Sequence, residues 1–147
     1  MAYTQLLYHI IFRTKNSVDA ISIENERQMY YYLYTVCQDM KCVVHRIGGM
    51  PDHIHILVSL PATLTVAQFV EKIKVASSKK FKANNVFPLF DGWSSSYAAL
   101  TYAFSDRGTV AEYIKNQKVH HIGETFLEEY RKLITSAGID IDEQYFP

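Results

Sequence analysis

A chain of 147 residues, with 15 Lys and Arg against 15 Asp and Glu and an apolar share of 48%, has the size and composition of one domain spanning residues 1–147. Folding a chain of this length buries about 70% of its unfolded surface, and the composition excludes disorder, collagen and a coiled-coil rod. No apolar run reaches the roughly 18 residues of a membrane span, and MAYTQLLYHIIFRTK lacks the parts of a signal peptide, so the expected location is the cytoplasm.

The elements follow from periodicity and turn signals. TQLLYHIIF, residues 4 to 12, predicts a central first strand that RTKNS closes. Ser22 opens a helix in which Met29, Tyr32, Leu33 and Val36 recur at helical spacing and acids occupy the positive end. Cys37 and Cys42, too few for a disulfide scaffold or a four-cysteine zinc site, read as buried thiols. A strand over residues 41 to 47, a turn over Gly48 to Asp52 and a strand over His53 to Leu60 predict an antiparallel hairpin.

Thr65 and Gln68 form a capping box before a helix whose stripe is Val66, Phe69, Val70, Ile73, Ser77 and Phe81. Its other face carries lysines. A loop with Pro88 and Gly92 leads to a fourth strand over Tyr97 to Phe104, and Thr109 with Glu112 repeats the capping signal ahead of VAEYIKNQKVHH. A last helix spans Thr125 to Ser136, with Gly138 as its stop. The order strand, helix, strand, strand, helix, strand predicts an α+β fold: a ferredoxin-like or RRM-like βαββαβ antiparallel sheet with helices on one face plus C-terminal helices.

Zero net charge hides an asymmetry. Residues 1 to 82 hold ten bases against six acids, and residues 83 to 147 hold five against nine. Lys72, Lys74, Lys79, Lys80 and Lys82 stand in KIKVASSKKFK without an acid, while six acids and two bases follow from Glu124 onward. The lysines fit either a solvated helix face or a polyanion surface beside a metal site, with Arg13, Lys15 and Arg46 as extensions. On that reading the acidic C-terminal region lies away from the basic surface.

His53 and His55 alternate through Ile54, so both imidazoles share one face of a strand and supply part of a metal shell. His-x-His also arises on strands by chance. Asp52 either orients a histidine or adds an oxygen ligand. Tyr113 and Gln117 are four apart on one helix face. A phenol is a poor nucleophile unless a cation polarises the group that it attacks.

His120 and His121 read more simply as partners of a helix C-terminus, His45 as a satisfied edge histidine, and His9 belongs to no motif. Trp93, Tyr97 and the tyrosines at 30, 31, 32 and 34 either stack on bases or pack the core. No GxGxxG, phosphate loop, HExxH or serine elbow occurs, so nucleotide hydrolysis and dehydrogenase chemistry have no support.

GGMPDHIHILVSLP, joined to WSSSY and YIKNQKVHH, resembles the single-tyrosine HUH transposases of small bacterial insertion sequences and their relatives associated with repetitive extragenic palindromes. The likeness runs from LLYHIIFRTK through His53-Ile54-His55 to HHIGETFLEEYRKLITSAGI. The Trp93 region is more like the insertion-sequence branch, and the tail more like the palindrome-associated one.

The resemblance implies a site of His53, His55 and Gln117 holding Mg2+ or Mn2+, with Tyr113 as nucleophile. It also implies single-stranded DNA hairpins as substrate, a covalent 5′-phosphotyrosine intermediate, no nucleotide cofactor and a homodimer in which Tyr113 serves its own or the partner's site. The alternative is a nucleic-acid-binding module of the same fold without the chemistry.

Overall fold

The computed structural model describes residues 1–82 and 84–147. The elements are β1 (Leu6–Arg13), α1 (Glu26–Asp39), β2 (Val43–Met50), β3 (His53–Leu60), α2 (Val66–Lys82), β4 (Ala98–Thr101), α3 (Arg107–Lys115), α4 (Gln117–His120) and α5 (Phe126–Ser136). The strands form one antiparallel sheet in the order β2-β3-β1-β4, the arrangement expected of the βαββαβ pattern. No helix among the described residues is long and apolar enough to cross a membrane.

Strand alternation divides the side chains between two faces. Ile10 and Phe12 of β1 and Ile54, Ile56 and Val58 of β3 meet Met29, Leu33 and Cys37 of α1 and Phe69, Ile73 and Phe81 of α2. Each large side chain buried there contributes about 1.5–3 kcal/mol. The opposite face is covered too: Leu7 and Leu57 meet Val110 and Ile114 of α3, while Ile11, Ala98 and Leu100 meet Phe126 and Tyr130 of α5. The C-terminal helices therefore make a third layer.

Several boundaries differ from expectation. β2 continues through Gly48 and Gly49, which pair with His55 and Ile54, so the turn is only Pro51 and Asp52. A Cβ on Gly49 would stand 2.2 Å from the His53 carbonyl oxygen, so that position requires a bare backbone, and one on Gly48 would crowd Ile114 at 3.0 Å. Ser22 precedes α1 by a turn, its hydroxyl accepting from the Asn25 N–H, and α1 begins at Glu26. β4 is restricted to four residues.

The expected cap at Thr109 is absent. Helix α3 starts earlier, at Arg107, and a break at Asn116 separates it from α4. The boxes at Thr65 with Gln68 and at Thr125 with Glu128 do form. Gly138, at φ +79, ends α5 with Ile139 N–H donating to the Ile134 carbonyl and Gly138 N–H to that of Thr135, a Schellman closure.

Gly49→Ala should destabilise the protein by about 1–3 kcal/mol in urea titration, because the hairpin must open to admit the methyl group. Gly108→Ala, where a Cβ meets nothing within 4 Å, should instead stabilise α3 by up to about 1 kcal/mol.

Candidate metal centre and its tyrosine

The site follows from the alternation of β3. With Ile54 and Ile56 committed to the α1 and α2 layer, His53 and His55 project into the layer beneath α3, α4 and α5, both at 0% exposure. Gly48 lets α3 approach the sheet closely, and α3 brings Tyr113. Lys118 fastens α4 to the hairpin and to α1, its Nζ donating to the Gly49 carbonyl at 2.6 Å and to Glu26 Oε2 at 2.7 Å. Gln117 opens α4, and α5 supplies Glu129.

The Glu129 carboxylate occupies the centre. Its Oε1 lies 3.2 Å from His55 Nε2, 3.4 Å from His53 Nε2 and 3.1 Å from His121 Nε2. Its Oε2 accepts from the Tyr113 hydroxyl and from Gln117 Nε2, the latter at 2.7 Å. His53 Nε2 is also 2.9 Å from Gln117 Oε1, and its Nδ1 lies 2.6 Å from Asp52 Oδ1. Phe126 stacks on the His53 ring at 4.3 Å between centroids, and His120 lies 4.4 Å from Tyr113.

The titrations follow from burial and these partners. Burial opposes the charged form of His53, but hydrogen bonds to Asp52 and Glu129 outweigh it and raise its pKa to about 9. Burial dominates at His55 and lowers it to about 4. Burial and the Glu129 carboxylate push the Tyr113 phenol well above its ordinary value. For Glu129, burial favours the neutral acid, yet the histidines and Tyr113 hold it far below the usual carboxylate range.

The donor set fits a divalent cation. His53, His55 and Glu129 each offer one atom, all within 4.8 Å of one another, and all three side chains are buried. Ligands about 2.1 Å from one ion stand about 3.0–3.4 Å apart in octahedral or tetrahedral geometry, which matches the 3.2 and 3.4 Å separations here. Two imidazoles with one carboxylate suit transition metals, and the oxygens of Glu129 and Gln117 suit Mg2+ or Mn2+.

The structure thus brings His53, His55, Tyr113, Gln117 and Asp52 together, and adds Glu129, His121 and His9. Glu129 had a visible signal: with Phe126, Tyr130 and Leu133 it lies on the stripe of α5 that packs inward, where a carboxylate needs a partner. His121 does cap the end of α4 through its backbone N–H, and its side chain meets Glu129. His9 shares the site's sheet face, its Nε2 2.7 Å from His55 Nδ1. His45 is satisfied at the edge, 2.9 Å from Ser59 Oγ.

The lysine helix is not beside this centre. Its apolar stripe packs against Ile54 and Ile56, so α2 lies on the sheet face opposite to His53 and His55. Nor are all its lysines free: Lys74 donates to the Ser94 and Ser96 carbonyls at 2.7 and 3.1 Å, and burial lowers its pKa to about 8. Lys82 and Lys15 flank Asp91 at 3.7 and 3.4 Å.

Lys72, Lys79, Lys80 and Arg46 are exposed. Arg13 is on the site face, opposite His53 in the β1–β3 register. The acidic C-terminal region does not lie apart either, because α5 inserts Glu129 into the centre. Trp93 packs against Phe12 and Phe90 and donates to Ser77 Oγ.

The family described as Transposase IS200 like matches residues 2–117, ending at Gln117 and excluding His121 and Glu129. The ISDra2 transposase TnpA of Deinococcus radiodurans is 28% identical over 120 residues, which are 77% of this chain and 84% of that one. A crystal structure of a candidate transposase from Deinococcus radiodurans R1 is similar at a TM-score of 0.62 and 26% identity, over 79% of this chain and 93% of its own. A REP-associated tyrosine transposase bound to a REP hairpin shares the fold at 0.62 with 14% identity, over 82% and 72%. With more than half of its length matched, including both histidines, Tyr113 and Gln117, the chain belongs to the IS200-like transposase family.

Proposed function

We propose that this chain cuts and rejoins single-stranded DNA at hairpin-marked ends through a covalent link between Tyr113 and a 5′-phosphate. The observation that carries this reading is the Glu129 carboxylate, which faces the metal-donor atoms of His53 and His55 with one oxygen and holds the Tyr113 hydroxyl with the other. Nucleophile and cation site therefore meet at one residue.

Tyr113 Oη attacks the phosphorus, the Oη–P bond forms and the P–O3′ bond breaks, and the phenol proton, passed by way of Glu129 Oε2, ends on the 3′-oxygen, which leaves as a hydroxyl. Attack of a 3′-hydroxyl on the phosphotyrosine reverses these steps, its proton passing by the same route back to Tyr113. The bond energy stays in the protein link, which removes the need for a nucleotide cofactor. A divalent ion bound here, Mg2+ or Mn2+, supplies polarisation of the phosphate oxygens. His53, His55 and Glu129 would hold it, with Gln117 Oε1 as a further donor, and Asp52 keeps His53 oriented through Nδ1.

These groups meet within one chain, and in the homodimer that the resemblance implies Tyr113 serves its own or the partner's site. Hairpin recognition draws on the relative bound to a REP hairpin and on the exposed cations. Arg13 and Arg46 lie on the face of the chemistry, while Lys72, Lys79, Lys80 and Lys82, with Lys15 near them, would hold phosphates more remotely. The second reading, binding without cleavage, is favoured by the α5 cover that leaves His53 and His55 at 0% exposure.

Incubation with single-stranded hairpin oligonucleotides and Mn2+ separates the two readings. Wild type should give a denaturation-resistant protein–DNA adduct, and Tyr113→Phe should give none while retaining hairpin affinity; an adduct from the variant would exclude Tyr113 as nucleophile. His53→Ala should lose metal affinity and cleavage together.

Metal binding by calorimetry should strengthen as pH rises from 6 towards 9. His53 must shed a proton to bind, and that proton is held up to about pH 9, so each unit below it weakens binding up to about tenfold. Lys79→Glu with Lys80→Glu should lower hairpin affinity and flatten its dependence on salt concentration, and an unchanged slope would place these lysines in solvent alone.

A further inference from the structure

His9 lies on central strand β1, between Leu57 of β3 and Leu100 of β4, and is 1% exposed. The surrounding layer is apolar: Leu7, Ile11, Leu57 and Leu100 are all buried. A leucine would fill such a position without the cost of desolvating an imidazole. The hydrogen bond that His9 does make goes to a metal-donor histidine, its Nε2 standing 2.7 Å from His55 Nδ1. The ring centroids are 4.9 Å apart with planes inclined by 29°, the near-coplanar geometry of an end-to-end bond between two imidazoles. His9 Nδ1 is buried and without a partner among the described residues.

We propose that His9 is the positioning residue that fixes the tautomer and orientation of His55 for metal binding. The inference rests on the cation site described above. His55 Nε2 faces Glu129 Oε1, where the ion would be held, and to coordinate it must present a lone pair. In the neutral ring the hydrogen must then sit on Nδ1. The acceptor there is His9 Nε2, so His9 carries its own hydrogen on Nδ1. The strand pair thereby specifies both rings, and the unpartnered His9 Nδ1 is the cost of that choice.

The arrangement differs from that of His53, whose Nδ1 faces a carboxylate. One ligand is held by a charged neighbour that strengthens its basicity, and the other by a neutral ring that fixes geometry without adding charge.

Mn2+ titration by calorimetry tests this, with thermal melting of the metal-free protein to follow the fold. His9→Phe keeps the bulk of the ring without an acceptor and should weaken Mn2+ binding about 10- to 100-fold. His9→Gln places an amide oxygen near the former Nε2 and should restore most of that loss. Phenylalanine at wild-type affinity, or glutamine as weak as phenylalanine, overturns the proposal. Absence of Mn2+ binding by the wild type overturns the cation site and this proposal together, whereas wild-type binding with an unaffected phenylalanine variant removes only the role of His9.

Should His9→Phe fail to fold, nitrogen NMR of the Zn2+-loaded wild type decides the matter. The proposal requires hydrogen on His55 Nδ1 and on His9 Nδ1, and hydrogen on His55 Nε2 overturns it.

Discussion

A carboxylate at 1% exposure, as Glu129 is, has to be surrounded by donors or it cannot remain charged, and the C-terminal third of the molecule is arranged to surround it. Tyr113, Gln117 and His121 approach from the α3–α4 side, and His53 and His55 from the sheet. The charge draws five side chains from three parts of the chain to one point, and it offers those same atoms to a cation. The geometry of the centre and the docking of α5 on the sheet are two aspects of one electrostatic requirement.

The sheet determines what the rest of the protein can contribute. Crossovers from β1 to β2 and from β3 to β4 place α1 and α2 on one face, leaving the other for chemistry. Lysines on α2 are therefore separated from the histidines by the thickness of the sheet. A DNA structure contacting both has to wrap round an edge of the domain, or the two surfaces engage different parts of it. Arg13 at the end of β1, opposite His53, and Arg46 of β2, opposite Leu57, are basic residues whose strand register puts them on the chemical side.

Much of this was legible from residues alone. The alternation in HIHILVSL gave both the strand and the shared direction of its histidines, and the capping box at Thr65 marked a helix start to within a residue. The break at Asn116 was not legible, because AEYIKNQKVHH reads as continuous helix and no proline or glycine interrupts it. Local capping preference also misplaced the start of α3, since packing of Val110 and Ile114 on the sheet sets that helix.

The position of α2 relative to the metal strand required the handedness of the crossovers, which charge counting ignores. Glu129 and His9 were visible in principle as polar residues on inward-facing stripes. Their partners lie far away in sequence, so no local motif names them.

That separation has a consequence for synthesis. His9, His53, Tyr113 and Glu129 meet only through loops that span most of the chain, closures that are entropically costly and slow compared with local helix formation. A chain emerging from the ribosome carries the histidine strand early and its tyrosine late, and the carboxylate that joins them last of all. Until α5 has emerged and docked, the nascent protein holds the parts of the histidine–tyrosine centre without their common link, so a stalled or prematurely ended chain is left with an incomplete one.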